Sequence, residues 1–262
     1  MGVDHWRDGP GYEAYVGRWS RRVAERFLPW LDVGRGAAWV DIGCGTGVLT
    51  RAILDLEDPD SVVGIDPSSA FLSAARTSIR DPRASFVEGA ADAMPEATAS
   101  ADVIVGGLML NFVPDIGLAL AEMRRVVRPE SLIAGYVWDY AEEMQLIRLF
   151  WDAAVALDPA AAQLDQGVRF PLCRPEPLEA AFVDAGLEEV AVSAIDIPTL
   201  FRSFDDFWRP HLVGVSSAPA YVVSLDPAAR ERLRSRLDST LLREPDGSIE
   251  LTARAWAVRG RT

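Results

Sequence analysis

The first half of the chain alternates short apolar runs with longer segments in which apolar residues return at helical spacing. Phe71, Ala75 and Ile79, for example, share one face of a helix, and Ser68 or Ser69 precedes it as an N-cap. Buried strands are predicted at 37–42, 61–65, 84–87, 101–105 and 132–138. Strands that alternate with helices need crossover connections, so the pattern predicts an α/β fold with a mostly parallel sheet covered by helices on both faces.

The pattern changes after Asp139, where the strand–helix alternation is interrupted by an irregular stretch at 163–175 and aromatic residues accumulate. Helices are predicted around 147–154, at 177–185 and at 226–242, and two more strands at 190–197 and 249–258. Aromatic residues crowd the segment 201–221. The two late strands bring the predicted sheet to seven strands.

One further helix is predicted at 12–31, where Tyr15, Trp19, Val23 and Phe27 form a single apolar stripe. No linker is long enough to separate an independent domain, so we predict a single domain over 1–262. Its core is predicted at about 21–139, 176–199 and 246–262, and its lid elements at about 1–20, 140–175 and 200–245.

Composition narrows the possible functions. The net charge of -13 and the isoelectric point of about 4.6 would repel a phosphate backbone or an anionic membrane, so neither nucleic acid nor a membrane is an expected partner. No apolar run approaches the roughly 18 to 20 residues that span a bilayer, and no signal peptide precedes the first helix, which predicts a cytoplasmic protein.

The two cysteines, Cys44 and Cys173, lack metal-ligand spacing, so no metal is expected. All 26 basic residues are arginine, which excludes lysine-dependent chemistry.

The most informative motif is Val40-Asp-Ile-Gly-Cys-Gly-Thr-Gly, which links a predicted strand to a predicted helix. Closely spaced glycines let backbone N–H groups approach a nucleotide-like ligand, because no Cβ blocks the approach. The spacing departs from the dinucleotide fingerprint Gly-x-Gly-x-x-Gly, and Val48 fills its final position. Asp41 beside the loop disfavours a pyrophosphate and favours a cationic or amine-bearing ligand.

Two further carboxylates follow the next two strands. Asp66 ends the second strand, where a carboxylate can accept hydrogen bonds from both hydroxyls of a ribose. Asp92 lies in the short loop after the third strand, within reach of an exocyclic amine. Adenosine would satisfy both residues.

At these motifs the chain resembles the class I S-adenosylmethionine-dependent methyltransferases of the small-molecule type. The resemblance continues through Gly64-Ile-Asp-Pro-Ser, Gly89-Ala-Ala-Asp-Ala-Met-Pro and Glu122-Met-Arg-Arg-Val-Val-Arg-Pro, and it covers about 15–138. It implies a Rossmann-like seven-stranded sheet with an antiparallel last strand, a helical and aromatic lid, and S-adenosyl-L-methionine as cofactor. The residues that would hold the cofactor are Asp41, Gly43, Cys44, Gly45, Asp66, Pro67, Ala91, Asp92, Gly106 and Leu108.

The resemblance implies direct in-line transfer of a methyl group to O, N or C, for which alignment of the reactants matters most. Many relatives carry histidines after the fourth strand, where this chain has Asn111. If a general base is used, His211 is the first candidate and Asp139 the second. A histidine in an aromatic segment is more often a buried wall residue, and Ser203 with Asp206 also matches a helix-capping box.

The acceptor is expected to be a small apolar or aromatic metabolite held by aromatic side chains. The candidate substrate-binding residues are Tyr15, Trp19, Trp138, Tyr140, Trp151, Phe170, Trp208 and Tyr221. Trp138, Tyr140 and Trp151 could simply be core, but they directly follow the fifth strand, where open α/β sheets bind ligands. Two alternatives remain open: a Rossmann oxidoreductase that uses NAD, and a non-catalytic module that binds S-adenosylmethionine or S-adenosylhomocysteine and contacts a protein partner. Either a monomer or a homodimer fits the sequence.

Overall fold

The structure of the chain is a computed structural model, and it describes residues 17–213 and 216–262. Seven strands form one sheet in the order β3-β2-β1-β4-β5-β7-β6. The strands are β1 Ala38–Ile42, β2 Ser61–Asp66, β3 Ala84–Glu88, β4 Ala101–Gly107, β5 Val127–Trp138, β6 Glu188–Phe201 and β7 Ile249–Arg261. The first five pair in parallel, and β7 pairs antiparallel to β5, so the predicted sheet is confirmed.

Two of the helices that connect these strands begin at a residue whose side chain caps them. The helices are α1 Arg18–Leu31, α2 Val48–Leu56, α3 Ser69–Ser78, α4 Ile116–Val126, α5 Gln145–Leu157, α6 Gln166–Arg169, α7 Pro175–Asp184, α8 Phe204–Trp208, α9 Ser217–Ser224 and α10 Pro227–Thr240. The Ser68 hydroxyl accepts from the Phe71 N–H, and the Asp115 carboxylate accepts from the Leu118 N–H. Each side chain satisfies an N–H that the first turn leaves without a partner.

Strand β5 begins earlier than the sequence pattern predicts. It includes Glu130, whose backbone is left-handed with φ 63°, and the chain continues as a strand on both sides of it. The reason is pairing with the C-terminal residue: the Glu130 N–H donates to the Thr262 carbonyl at 3.2 Å, and the Thr262 N–H donates to the Ser131 carbonyl at 3.1 Å. These contacts hold the polar start of β5 in an extended form.

The described chain divides into two compact units. The sheet unit comprises Ser20–Trp138, Leu172–Ile195 and Ala255–Thr262. It contains an apolar core that includes Val40, Ile104 and Ile133 from the middle strands. Helices α4 and α7 contribute the side chains that cover one face of that core, among them Leu120 and Phe182. Residues on both faces are buried because the parallel strands lie in the centre of the sheet.

The aromatic unit comprises 17–19, Asp139–Pro171, 196–213 and 216–254. Its rings pack on one another: the Phe150 and His211 rings stack with centroids 4.9 Å apart, and the Phe201 and Phe207 rings meet edge to face at 5.3 Å. Such pairs add about 0.5 to 1.5 kcal/mol beyond their buried area. The aromatic unit therefore has a core of its own. Among the described residues, no helix is long and apolar enough to cross a bilayer.

Candidate functional site

In the sheet unit, a ligand crevice is expected at the carboxyl ends of the central strands. Strand β1 lies between β2 and β4, so the connections from β1 and β4 leave in opposite directions. In open α/β sheets, ligands bind where the strand order reverses in this way. Gly43 follows β1 and Leu108 follows β4, which places both predicted cofactor residues at this point.

Glycine is required at Gly43 because the loop passes close to β4 and its 3-10 turn. Gly43 has φ 68°, and a Cβ there would lie 2.7 Å from the Met109 Cβ. Gly45 is also left-handed with φ 54°, but a Cβ on Gly45 would meet no atom within 4 Å. The open space at Gly45 is therefore available to a ligand that approaches the backbone.

Asp66 fastens the glycine loop while it presents its carboxylate at the crevice. Its Oδ2 accepts from the Gly45 N–H at 2.9 Å, and its Oδ1 accepts from the Ser68 N–H at 2.8 Å. Burial raises the pKa of Asp66, and these two backbone hydrogen bonds oppose that rise. Because an ionised carboxylate has about four acceptor positions, each oxygen can still accept a hydroxyl.

Asp41 is fully buried at the base of the same loop. Its Oδ2 accepts from the Thr50 hydroxyl at 2.6 Å, while its Oδ1 has no hydrogen-bond partner among the described residues. Burial raises the pKa of Asp41 to about 7, against the opposing effect of the Thr50 hydrogen bonds. A buried carboxylate oxygen without a donor is costly unless a ligand supplies one, so a ligand with a positively charged amine fits this position.

The other predicted cofactor residues differ in their exposure. Pro67 and Asp92 are exposed at the crevice edge, Ala91 is half-buried, and Gly106 is buried at the end of β4. Cys44 is buried, and burial raises the pKa of its thiol further above neutrality, so it is protonated and packs as a small apolar residue. The roles of all these residues in cofactor binding remain predictions.

Leu108 adopts a left-handed backbone at the mouth of β4, with φ 63°. Its N–H donates to the Tyr136 carbonyl at 2.8 Å, which holds the residue in place. A left-handed conformation costs a non-glycine residue about 1 kcal/mol or more, and such strain clusters at functional sites. Five other non-glycine residues of the described chain share this conformation, so the strain alone does not identify a functional site.

At position 108 we expect the usual order of stability for alanine and glycine to be reversed. Leu108→Gly should be more stable than Leu108→Ala by about 1 kcal/mol, because glycine adopts positive φ without strain. Met109 has φ -101° and provides the matched control, at which alanine should be the more stable replacement. Urea unfolding of the four variants measures both differences. Equal stability of the two Leu108 variants would contradict the assigned backbone strain.

Two predicted residues of the sheet unit carry buried polar atoms near this edge. The Asn111 Oδ1, in the 3-10 turn after β4, has no hydrogen-bond partner among the described residues, and the same holds for the Trp138 Nε1 at the end of β5. Buried polar groups are normally paired, and a ligand can supply the missing partner. Asn111 and Trp138 therefore remain candidates for contacts with an acceptor.

The two candidate bases lie in the aromatic unit. Asp139 is buried and its Oδ1 accepts from the Glu142 N–H at 2.9 Å, as in a turn-forming residue. His211 is fully buried, its Nδ1 lies 3.1 Å from the Phe207 carbonyl oxygen, and its ring stacks on Phe150. Burial lowers the pKa of His211 to about 4. These contacts are those of a wall residue, and a catalytic role for either residue stays a prediction.

The predicted aromatic substrate residues of this unit form much of its core. Trp151 donates from Nε1 to the Gln166 Oε1 at 2.6 Å, and the Tyr221 hydroxyl donates to the Asp158 Oδ2 at 3.3 Å. Trp19 packs on Phe201, Tyr140 on Phe170, and Trp208 on His211. Phe170 is half-buried, whereas Trp19, Tyr140, Trp151, Trp208 and Tyr221 are buried. Tyr15 lies outside the described residues, and substrate binding by this set remains a prediction.

In each unit, supporting contacts of predicted site residues were not identified from the sequence. Thr50 is the hydrogen-bond donor to Asp41. In the sequence, the only indication of this role is a hydroxyl on the apolar face of a predicted helix. Arg148 binds both oxygens of Asp165, at 2.9 Å and 2.7 Å, and also donates to the Tyr140 carbonyl. The two partners are separated by 17 positions, a spacing that has no local pattern.

Comparison with known proteins places these observations in a family context. Residues 40–135 match the methyltransferase domain family. The chain is 30% identical over 145 residues to a demethylmenaquinone methyltransferase of Lactobacillus johnsonii, covering 53% of this chain and 59% of that protein. It is 29% identical over 113 residues to a trans-aconitate 2-methyltransferase of an Azoarcus species, covering 43% and 44%. The chain thus spans about half the length of the curated relatives it matches.

Solved structures show the same fold at low sequence identity. A putative methyltransferase from Bacillus halodurans superposes with a TM-score of 0.60 at 13% identity, covering 91% of this chain and 97% of that one. Phosphoethanolamine N-methyltransferase 2 of Haemonchus contortus, solved with S-adenosylhomocysteine, gives a TM-score of 0.58 at 15% identity, covering 96% and 56%. The predicted Rossmann-like fold is confirmed, and so is the resemblance to class I S-adenosylmethionine-dependent methyltransferases.

Proposed function

We propose that this chain is an S-adenosylmethionine-dependent methyltransferase that acts on a small molecule. The observation that carries the proposal is the unpartnered, fully buried Oδ1 of Asp41, beside the open space at Gly45 and the accepting carboxylate of Asp66. Asp41 fits an amine, Asp66 fits a ribose, and the open space at Gly45 lets a ligand lie against the backbone. S-adenosylmethionine carries both an amine and a ribose.

Each part of the cofactor has residues assigned to it. Asp41, Gly43 and Gly45 would hold the methionine portion, Asp66 the ribose, and Ala91 with Asp92 the adenine, while Gly106 and Leu108 would lie beside the amine and the acceptor. When bound, S-adenosylmethionine supplies a methyl group on a sulfonium sulfur, and the neutral thioether that remains after transfer is a good leaving group. The residues of the site then have to orient the acceptor, and orientation can contribute roughly 7 to 11 kcal/mol. No covalent enzyme intermediate is required.

The acceptor we propose is a small, apolar or aromatic metabolite. Support for an aromatic acceptor comes from the relatives named demethylmenaquinone methyltransferase, whose acceptor is a quinone. The relatives named for trans-aconitate and for malonyl-[acyl-carrier protein] act on carboxylates and support only methyl transfer. The net charge of -13 is unfavourable for nucleic acid. We further propose that the protein works in the cytoplasm as a monomer or homodimer.

Calorimetry with S-adenosylmethionine, S-adenosylhomocysteine and NAD tests the proposed cofactor. We expect binding of the first two and none of NAD, since the glycine spacing and Asp41 disfavour a pyrophosphate. Tight NAD binding would favour the oxidoreductase alternative. Incubation with methyl-labelled cofactor and a metabolite extract then tests transfer. Cofactor binding without label transfer to any metabolite would favour the non-catalytic module.

A His211 variant tests whether acid–base chemistry dominates the reaction. Once labelling has identified an acceptor, His211→Gln should lower turnover less than about 100-fold, since a general base contributes about 10² to 10⁴. With a pKa of about 4, His211 is neutral from pH 5 to 8, so it should add no inflection to the pH–rate profile near pH 6.5. A 10⁴-fold loss with the fold and both affinities preserved would contradict this expectation.

A further inference from the structure

The loop that would carry the adenine contacts has few anchors of its own. Between Gly89 and Ala93 its side chains are mostly hydrogen or methyl, so they bury little apolar surface. Within the loop the Gly89 N–H donates to the Asp66 carbonyl at 3.3 Å, and the Ala93 N–H donates to the Ala90 carbonyl at 3.2 Å. Asp92 itself is exposed. The position of such a loop depends on what holds its ends.

The segment that follows the loop is held by two side chains of α4. The Glu122 Oε1 accepts from the Met94 N–H at 3.0 Å. Arg125 donates from Nη2 to the Met94 carbonyl at 3.2 Å and to the Glu96 carbonyl at 2.8 Å. Together they bind the peptide groups on both sides of Met94, just past the end of the loop.

Glu122 and Arg125 also fix each other. They are three residues apart on α4, and the guanidinium binds both carboxylate oxygens, Nε to Oε2 at 2.8 Å and Nη2 to Oε1 at 2.7 Å. A bidentate pair has a defined plane and direction, which a lysine could not reproduce. Arg125 also donates from Nη1 to the Thr98 hydroxyl at 3.2 Å. Glu122 and Arg125 thus form a rigid clamp that joins α4 to residues 94–96.

We propose that Glu122 and Arg125 are positioning residues that set the selectivity of the site for adenine, because they fix the backbone from which Asp92 is presented. This inference rests on the proposed function. Neither side chain touches the cofactor in this assignment, and each acts through the peptide groups of 94–96. Loss of the clamp should leave the Asp41 and Asp66 contacts in place and weaken recognition of the base.

Calorimetry on Arg125→Ala with two ligands tests the proposal: S-adenosylhomocysteine and S-inosylhomocysteine, which lacks the exocyclic amine. In the wild type the adenine ligand should bind more tightly. In Arg125→Ala its dissociation constant should rise about tenfold or more, while that of the inosine ligand changes little, so the ratio falls. Arg124→Ala is the matched control, because Arg124 donates to the Ala185 carbonyl and not to the loop.

Two milder variants keep the test decisive if circular dichroism shows that Arg125→Ala does not fold. Arg125→Lys keeps the charge and Glu122→Gln keeps the shape, yet each breaks the bidentate pair, so both should lower the selectivity ratio. A ratio equal to that of the wild type in these variants, or an equal loss in Arg124→Ala, would overturn the inference alone. If the wild type binds neither ligand, the proposed function itself is wrong.

Discussion

Replacing Asp66 with alanine is expected to weaken S-adenosylmethionine binding by a hundredfold or more. Loss of the hydrogen bonds from the ribose alone should cost about 1.5 to 3 kcal/mol, or about ten- to a hundredfold. The carboxylate also accepts from the Gly45 and Ser68 N–H groups, so the substitution releases the glycine loop as well. Because binding would then have to order that loop again, the total loss should exceed the ribose contribution.

Calorimetry at neutral pH measures this effect, and Glu88→Ala is its matched control. Glu88 ends β3, pairs in register with Asp66 and is exposed. Its removal changes the net charge by the same amount and breaks no hydrogen bond to the glycine loop. The Glu88 variant should bind within about threefold of the wild type, since an exposed charge contributes little. Binding by Asp66→Ala that matches the Glu88 variant would contradict the ribose assignment.

Asp41→Asn should make the ligand-free protein more stable at pH 8 while it weakens cofactor binding. The pKa of Asp41 is raised to about 7 by burial, well above its unfolded value of about 3.8. The folded protein favours the protonated carboxyl, so this contribution to the free energy of unfolding is fully present below pH 3.8 and is lost as the pH rises through 7. The total loss is about 4 kcal/mol. Asparagine carries no such charge and can still accept from the Thr50 hydroxyl.

Thermal unfolding of Asp41→Asn against pH measures the gain. We expect at least 1 kcal/mol at pH 8, about 2 to 4 °C in Tm, and a gain that shrinks toward pH 4. Asp60→Asn, which removes a carboxylate at an exposed position, is the control, and its Tm at pH 8 should stay close to that of the wild type. Affinity for S-adenosylmethionine should fall about ten- to a hundredfold, since the amine loses its anionic partner. A variant that is less stable than the wild type at pH 8 would contradict the assignment.

The sheet could be predicted from the sequence, because a central strand is buried on both faces and is therefore a continuous run of apolar residues. The cap at Ser68 was predictable for a similar reason, since a cap acts over three residues. The early start of β5 at Val127 was not predictable. It depends on pairing between Glu130 and Thr262, which are far apart in the chain, and on a left-handed glutamate that no propensity favours.

The candidate cofactor site was predictable where its residues act through backbone geometry and charge. Asp41, Gly45 and Asp66 lie at the strand ends at which the pattern puts them. What the sequence could not predict are two supporting contacts: the Thr50 hydroxyl that binds Asp41, and the Arg125 clamp that binds the Met94 peptide after the loop of Asp92. The aromatic residues were ambiguous for a physical reason, because a ring that lines a cavity and a ring that fills a core have the same hydrophobic signature.

The place of β7 in the sheet constrains the order in which the protein can fold. β7 is the last strand that the structure describes, yet it lies between β5 and β6, and no other described strand pairs with β6. Until residues 249–261 are available, the outer edge of β5 and both edges of β6 are unpaired, and exposed strand edges favour aggregation. The sheet can therefore close only after residues 249–261 have been synthesised. Chaperone dependence and expression temperature should matter more for this strand order than for one in which the last of these strands to be synthesised lies at the edge.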